Sequence, residues 1–249
     1  MPSDELESLI IKSIALLITA TSVHLSLSPP NPPVKQQECA RTSTIFERLI
    51  QWITFSSKAM VWLGASWDIS ISATSYFIYH VALSSRPVNP AALSCFLSTR
   101  SCTMPELWTV YPTMFIGAFA TLAAAVLRTW CFRTLGPLFT FEVTIRPQHE
   151  LIMHGPYSWV RHPSYTGIYL TLFGATAVLC SPGSWLSMGG WSTIGAFPLV
   201  FFWVAKCLYV FRGTSLRLKA EDDMLRDTFG ATWEEYARKV PYRLIPFVF

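Results

Sequence analysis

The stretch HELIMHGPYSWVRHPSYTG, His149 to Gly167, decides how this chain folds. It gathers His149, His154, Arg161 and His162 among aromatic side chains, immediately before an apolar run that opens at Tyr165 and carries no charge until Lys206. A polar cluster placed there reads as a loop at the point where the chain enters a membrane. Pro163 fits the first position of the membrane helix, because the N–H it lacks would have had no helical partner. Arg161 and His162 read equally well as interface anchors, and Tyr157 and Trp159 as members of an aromatic belt.

Composition agrees with the membrane reading. Hydrophobic residues make up 51% of the chain and charged residues only 14%, too few to cover a water-facing surface. The class implied is all-α, a polytopic transmembrane helical bundle of about five spans with a cytosolic helical C-terminal tail; the lipid bilayer is its first partner. The net charge of +4 is dispersed and no block of lysine and arginine suggests a nucleic-acid partner. Glycine-rich phosphate loops are absent. No CxxC pair occurs, so no zinc site is expected.

Working outward from the loop, residues 8 to 27 form an apolar run long enough to cross a bilayer. Acidic residues before it and Lys12 within it are unlike a cleaved signal peptide, so it is read as a retained helix. A proline-rich connector, Pro29 to Thr44, cannot continue that helix. Residues 45 to 58 space their apolar side chains like an interfacial amphipathic helix, and Ala59 to Leu83 makes a better span, with Asp68 inside it. An intramembrane carboxylate is a functional candidate, but Ser66, Ser70 and Ser72 nearby also suit simple hydrogen bonding within the bundle. The polar loop from Ser84 to Pro105 carries Cys95 and Cys102, either a disulfide or two free thiols. Glu106 to Cys131 is a third span rich in glycine and alanine, which let helix backbones approach closely in lipid.

After the signature loop come two apolar segments, 164 to 180 and 185 to 210, joined by Ser181 to Ser184. A short turn makes them an antiparallel hairpin, which returns residue 210 to the face of residue 164. The signature loop and the polar tail then share one side of the membrane. Lysine and arginine concentrate on that side, in the connector, the signature loop and the tail, while the opposite loops hold only Arg86 and Arg100. By the positive-inside bias this face is cytosolic. The tail reads as two short helices: Arg217 to Phe229 ended by Gly230, then one opened by a capping box at Thr232 and Glu235, with Trp233, Tyr236 and Val240 on its apolar face. That face should pack over the hairpin and the signature loop as a lid.

GPYSWVRHPSYTG resembles the signature of the isoprenylcysteine carboxyl methyltransferases, membrane enzymes that methylate the C-terminal carboxylate of prenylated proteins. The likeness continues through Arg217, Glu221, Asp222, Leu225, Phe229–Gly230, Tyr236, Val240–Pro241 and Ile245–Pro246, and covers the chain from about Arg128 onward. Asp222 stands where the family has a second glutamate. The resemblance implies two parts: membrane spans and connectors in residues 1–131, and a methyltransferase core in residues 132–249.

It also implies S-adenosylmethionine as cofactor, held by His149, Glu150, Leu151, Ile152, Tyr157, His162, Pro163, Ser164, Tyr165 and Glu221, with no metal. Arg217 is implied as the catalytic and substrate-binding residue, facing a prenylated protein or prenylcysteine. An endoplasmic-reticulum location follows from the same likeness. Side-chain chemistry suits these roles: Tyr157 and Tyr165 offer faces to a sulfonium, and a planar guanidinium grips a carboxylate in two places. Arg217 and Glu221 also read as an ordinary i,i+4 surface pair. Other classes to be weighed are a phospholipid N-methyltransferase, a sterol-reductase-like oxidoreductase and a non-catalytic membrane scaffold.

Overall fold

The computed structural model describes residues 2–31, 45–85, 104–139, 150–190 and 195–248. His149, Cys95, Cys102, Arg86, Arg100 and most of the proline-rich connector lie outside the described residues. Among those described, the secondary structure is helical throughout: α1 (Pro2–Ser26), α2 (Ile45–Ser85), α3 (Pro112–Leu135), α4 (Pro163–Leu179), α5 (Ala196–Phe229) and α6 (Ala231–Lys239), with 3-10 turns at Met104–Trp108, Gly136–Leu138 and Gly155–Ser158.

Among the described residues, three segments are long and apolar enough to cross a membrane: Ser3–Ser26, Glu106–Leu138 and Ala196–Phe229. The remaining two expected spans differ from the sequence reading. The amphipathic stretch and the span after it are one helix of 41 residues. At 1.5 Å per residue it is about 60 Å long, roughly twice the hydrocarbon thickness of a bilayer. No proline interrupts residues 45–85 and Gly64 is their lone glycine, so a change of apolar pattern alone does not break the helix. α4 is short, at 17 residues. The connection after it is longer than four residues, because α5 begins only at Ala196.

The tail differs too. Its first expected helix is the continuation of α5, which runs unbroken to Phe229. Residues 214 to 229 are mostly good helix formers, so a switch from apolar to polar composition does not end the element. Gly230, at φ +52°, makes the break, and α6 starts directly at Ala231 with no side-chain cap; the capping box at Thr232 does not form.

The chain divides into two compact units. The first comprises Met1–Val23, Lys58–Leu122 and Leu172–Ala205. Here Lys12, fully buried, ion-pairs with Asp68 and donates to Ser72 Oγ (2.8 Å) and the carbonyls of Leu107 (2.6 Å) and Gly183 (2.9 Å). Asp68 also accepts from the Trp185 amide at 3.0 Å. The carboxylate singled out from sequence is therefore part of a satisfied buried pair, which joins α1, α2 and two loops. In the same unit, a Cβ added to Gly117 would meet the Gly174 carbonyl at 2.7 Å, and one added to Gly174 would meet the Gly117 carbonyl at 2.6 Å. The small residues of α3 thus allow backbone contact with α4, as expected.

The second unit comprises His24–Ser57, Ala123–Thr171 and Lys206–Phe249. It contains the signature loop and the tail. Within it Tyr169 of α4 bonds Thr214 of α5 at 2.8 Å, and Tyr165 of α4 bonds Glu221 of α5. Rising numbers on one helix meet falling numbers on the other, so the two run antiparallel.

Candidate active site

The signature loop ends where α4 begins, and the last turns of the tail run beside that junction. The amide of Arg161 donates to the Tyr242 carbonyl at 3.0 Å and that of His162 to the Arg243 carbonyl at 2.8 Å. About one turn into the helix, Thr166 Oγ1 donates to the Leu244 carbonyl at 2.7 Å. The Arg161 guanidinium reaches the Val240 and Pro241 carbonyls, both at 3.1 Å. Backbone donors ahead of Pro163 have no helical acceptor, and the tail supplies one for each.

Two apolar clusters fix this arrangement. Tyr165, Leu218 and Leu244 pack together with Ile168 and Tyr169. Trp233, Tyr236 and Val240 pack with Leu151, Leu225 and Phe229, so the face foreseen for α6 covers the start of the signature loop. Tyr236 adds a hydrogen bond from its hydroxyl to the Tyr157 carbonyl at 2.8 Å.

Between these clusters lies a polar junction. His162 places Nε2 at 2.9 Å from Asp222 Oδ1 and Nδ1 at 3.4 Å from Glu221 Oε2. Glu221 Oε1 accepts from the Tyr165 hydroxyl and from Arg217 Nη2, the latter at 3.1 Å. Asp222 Oδ2 receives Arg161 Nη2 at 3.3 Å and Arg243 Nε at 3.2 Å. The Arg217 guanidinium stands 5.9 Å from the Tyr165 ring centre. Burial opposes the charged form of His162, but its bonds to Asp222 and Glu221 prevail and lift its pKa above the ordinary histidine value. Burial likewise pushes the Tyr157 phenol well above its usual range, with Cys131 and Glu221 adding to the effect, so it stays neutral.

The sequence-predicted residues divide accordingly. His162, Tyr165, Glu221 and Arg217 touch one another directly, Pro163 is buried at the helix start, and Ser164 bonds to Arg128. Tyr157 joins through Tyr236, and Leu151 through the aromatic cluster. Glu150 is exposed and Ile152 half-buried, and neither enters the ion-pair junction. His149 lies outside the described residues. Asp222, Arg161 and Arg243 were not among the expected site residues, although Asp222 holds three partners. The available signal was the adjacent pair Arg161–His162 facing an adjacent pair of opposite charge, Glu221–Asp222. Among the described residues no group of three or more histidine, cysteine, aspartate or glutamate side chains is set to hold a metal ion.

The model of the isoprenylcysteine carboxyl methyltransferase family matches residues 116–189. A probable protein-S-isoprenylcysteine O-methyltransferase of Oryza sativa subsp. indica is 33% identical over 152 residues, which is 60% of this chain and 70% of that protein. The chain belongs to this family. The Xenopus laevis protein-S-isoprenylcysteine O-methyltransferase is 30% identical over 183 residues, 72% of this chain and 56% of that one, and the Homo sapiens protein 28% identical over the same length. An alignment of 183 residues is longer than the stretch from Arg128 to the C-terminus, and the family match opens inside α3. The likeness therefore reaches further toward the N-terminus than the motifs alone suggest. The phospholipid methyltransferase, sterol-reductase-like and scaffold alternatives draw no support from these matches.

Proposed function

We propose that the protein transfers a methyl group from S-adenosylmethionine to the C-terminal carboxylate of an isoprenylated cysteine, with residues 132–249 as its catalytic core. The observation that carries this reading is the junction at Glu221, where one carboxylate meets His162 and Tyr165 of the loop and helix start and Arg217 of α5. Around it Arg161, Arg217, Arg243 and His162 outnumber the carboxylates of Glu221 and Asp222. A locally cationic junction favours an anionic acceptor and disfavours an amine.

The residues fit a zwitterionic donor with a sulfonium centre. Tyr165 and Tyr157 give aromatic faces, and Glu221 can accept from an ammonium or a ribose hydroxyl. S-adenosylmethionine, when bound, supplies an electrophilic methyl. The rest of the work falls to the chain. A carboxylate acceptor is ionised at neutral pH and needs no general base, so the site has chiefly to hold it in line. Arg217 is suited to orient it through a planar fork that stays charged near lipid. Loop His162–Tyr165 and Glu221 hold the donor side, and the α6 lid keeps water away. The prenyl chain partitions into the bilayer beside the site. The lysine and arginine of the loops support a cytosolic face for the junction, and methylation after prenylation suits an endoplasmic-reticulum location.

The test uses membranes carrying the protein, labelled S-adenosylmethionine and a farnesylcysteine analogue. A carboxyl methyl ester releases volatile labelled methanol in alkali. Label that stays fixed in alkali, or no incorporation, contradicts the proposal.

A further inference from the structure

Among the described residues, the second unit holds two buried cations outside the junction, Lys206 and Arg128. Lys206 donates to Ser57 Oγ at 2.7 Å. Arg128 does something more: it reaches the signature segment. The residue is 1% exposed on α3. Its Nε donates to the carbonyl of Ser26 at the end of α1, and its Nη1 donates both to the carbonyl of Ser164, at 3.0 Å, and to the hydroxyl of Ser164, at 2.9 Å. Phe132 and Phe139 flank the guanidinium, with ring centres at 4.9 and 6.0 Å.

Gly167 is matched to this side chain. A Cβ there would lie 2.5 Å from Arg128 Cγ and 3.0 Å from Cδ. Its backbone is ordinary helix, so glycine is needed for space and not for conformation. Arg128 passes over Gly167, one turn into α4, to grip Ser164 at the helix start. Ser164 is followed directly by Tyr165, whose hydroxyl meets Glu221. Any slide or rotation of α4 that breaks the Ser164 contacts would carry His162 and Tyr165 with it.

Burying a guanidinium at this depth is costly, and its hydrogen bonds here go to neutral groups. A hydrophobic side chain would fill the space more cheaply, so the arginine fits a role that needs its fork. We propose that Arg128 is a positioning residue for the methyl-donor side of the site: it sets the depth and rotation of the first turn of α4, with Gly167 as the cleft that admits it. This rests on the reaction proposed above. Lysine would keep the charge but could not bond Ser26 and both oxygens of Ser164 from one rigid plane.

The test uses the full chain in lipid nanodiscs, comparing wild type with Arg128→Lys, Gly167→Ala, Arg128→Ala and the Arg128→Ala/Gly167→Ala double variant. KM for S-adenosylmethionine, KM for the farnesylcysteine analogue, and amide exchange across residues 164–169 are measured. Because a misplacement of about 1 Å costs on the order of a hundredfold, Arg128→Lys and Gly167→Ala should each raise the donor KM by at least about tenfold, with the acceptor KM within about twofold. Exchange at the start of α4 should quicken in both. In the Arg128→Ala background, Gly167→Ala should change the donor KM by less than about twofold, since the atoms it strikes are gone.

An unchanged donor KM, an equal rise in both KM values, or a Gly167→Ala effect of the same size without Arg128 would overturn the assignment. If the wild type transferred no methyl group, the proposed reaction would fall separately, and unaltered exchange in Arg128→Lys and Gly167→Ala would then overturn the positioning role by itself.

Discussion

His162 stands between two adjacent carboxylates of α5, with Nε2 2.9 Å from Asp222 and Nδ1 3.4 Å from Glu221. Each ring nitrogen faces an acceptor, an arrangement that suits the imidazolium, which donates from both. The residue just ahead of α4 is thereby tied to the helix that carries Arg217.

That arrangement has a pH signature. The folded pKa of His162 is raised above the unfolded value of about 6.5, so its contribution to stability is complete below about pH 6.5 and is lost as pH rises through the folded pKa. Melting of the wild-type protein in nanodiscs should fall across that window, and His162→Gln should flatten the fall. A profile unchanged by the substitution would show that His162 binds its proton no more tightly in the folded protein.

Glu221→Ala should weaken donor affinity. It removes the acceptor that Tyr165, His162 and Arg217 share, so the aromatic face and the guanidinium lose their common reference. A loss of about tenfold or more is expected for a buried, charge-assisted group worth roughly 1.5–3 kcal/mol. Equilibrium binding of S-adenosylmethionine measures it, and retained affinity would count against a donor-side role for Glu221.

Arg217→Ala should act on the acceptor. Turnover of the farnesylcysteine analogue should drop by about a hundredfold or more, in line with removal of a group that orients the reacting carboxylate. Donor binding should be largely kept. Collapse of donor binding with normal residual turnover would reverse the assignment.

In the first unit, Lys12→Met should cost about 3–5 kcal/mol, because it leaves Asp68 buried without its cation. Removing both charges with Lys12→Met/Asp68→Asn should recover most of that loss, as read by denaturation in detergent. A double variant as unstable as Lys12→Met alone would mean that the carbonyls of Leu107 and Gly183, and not the charge pair, depend on Lys12.

Much of the site was legible because its chemistry is written in short, charge-bearing motifs. Arg161–His162 and Glu221–Asp222 are adjacent complementary pairs, and the hairpin between them returns the chain to the same place. The boundaries of α2 and α5 were not legible. In both, composition changes sharply where no proline stands, and Gly213, at the turn in α5, does not by itself stop a helix, so the element continues through the change. Arg128 was hidden for a different reason. It ends an apolar run and looks like a boundary residue, whereas its role depends on Ser26 and Ser164, which are far from it in sequence. Lys12 and Asp68 had the same difficulty: each carried an unexplained charge, and the partner of each was the other.

The account as a whole turns on whether the signature loop and the tail act as a single site. The direct measurement is a double-mutant cycle on kcat/KM for methyl transfer, using His162→Gln, Asp222→Asn and the double variant. Residues in one ion-pair network couple by about 0.5–3 kcal/mol, so the double variant should lose much less than the two single losses combined. Losses that simply add would mean that the two segments serve the reaction independently, and the single-site account would be contradicted.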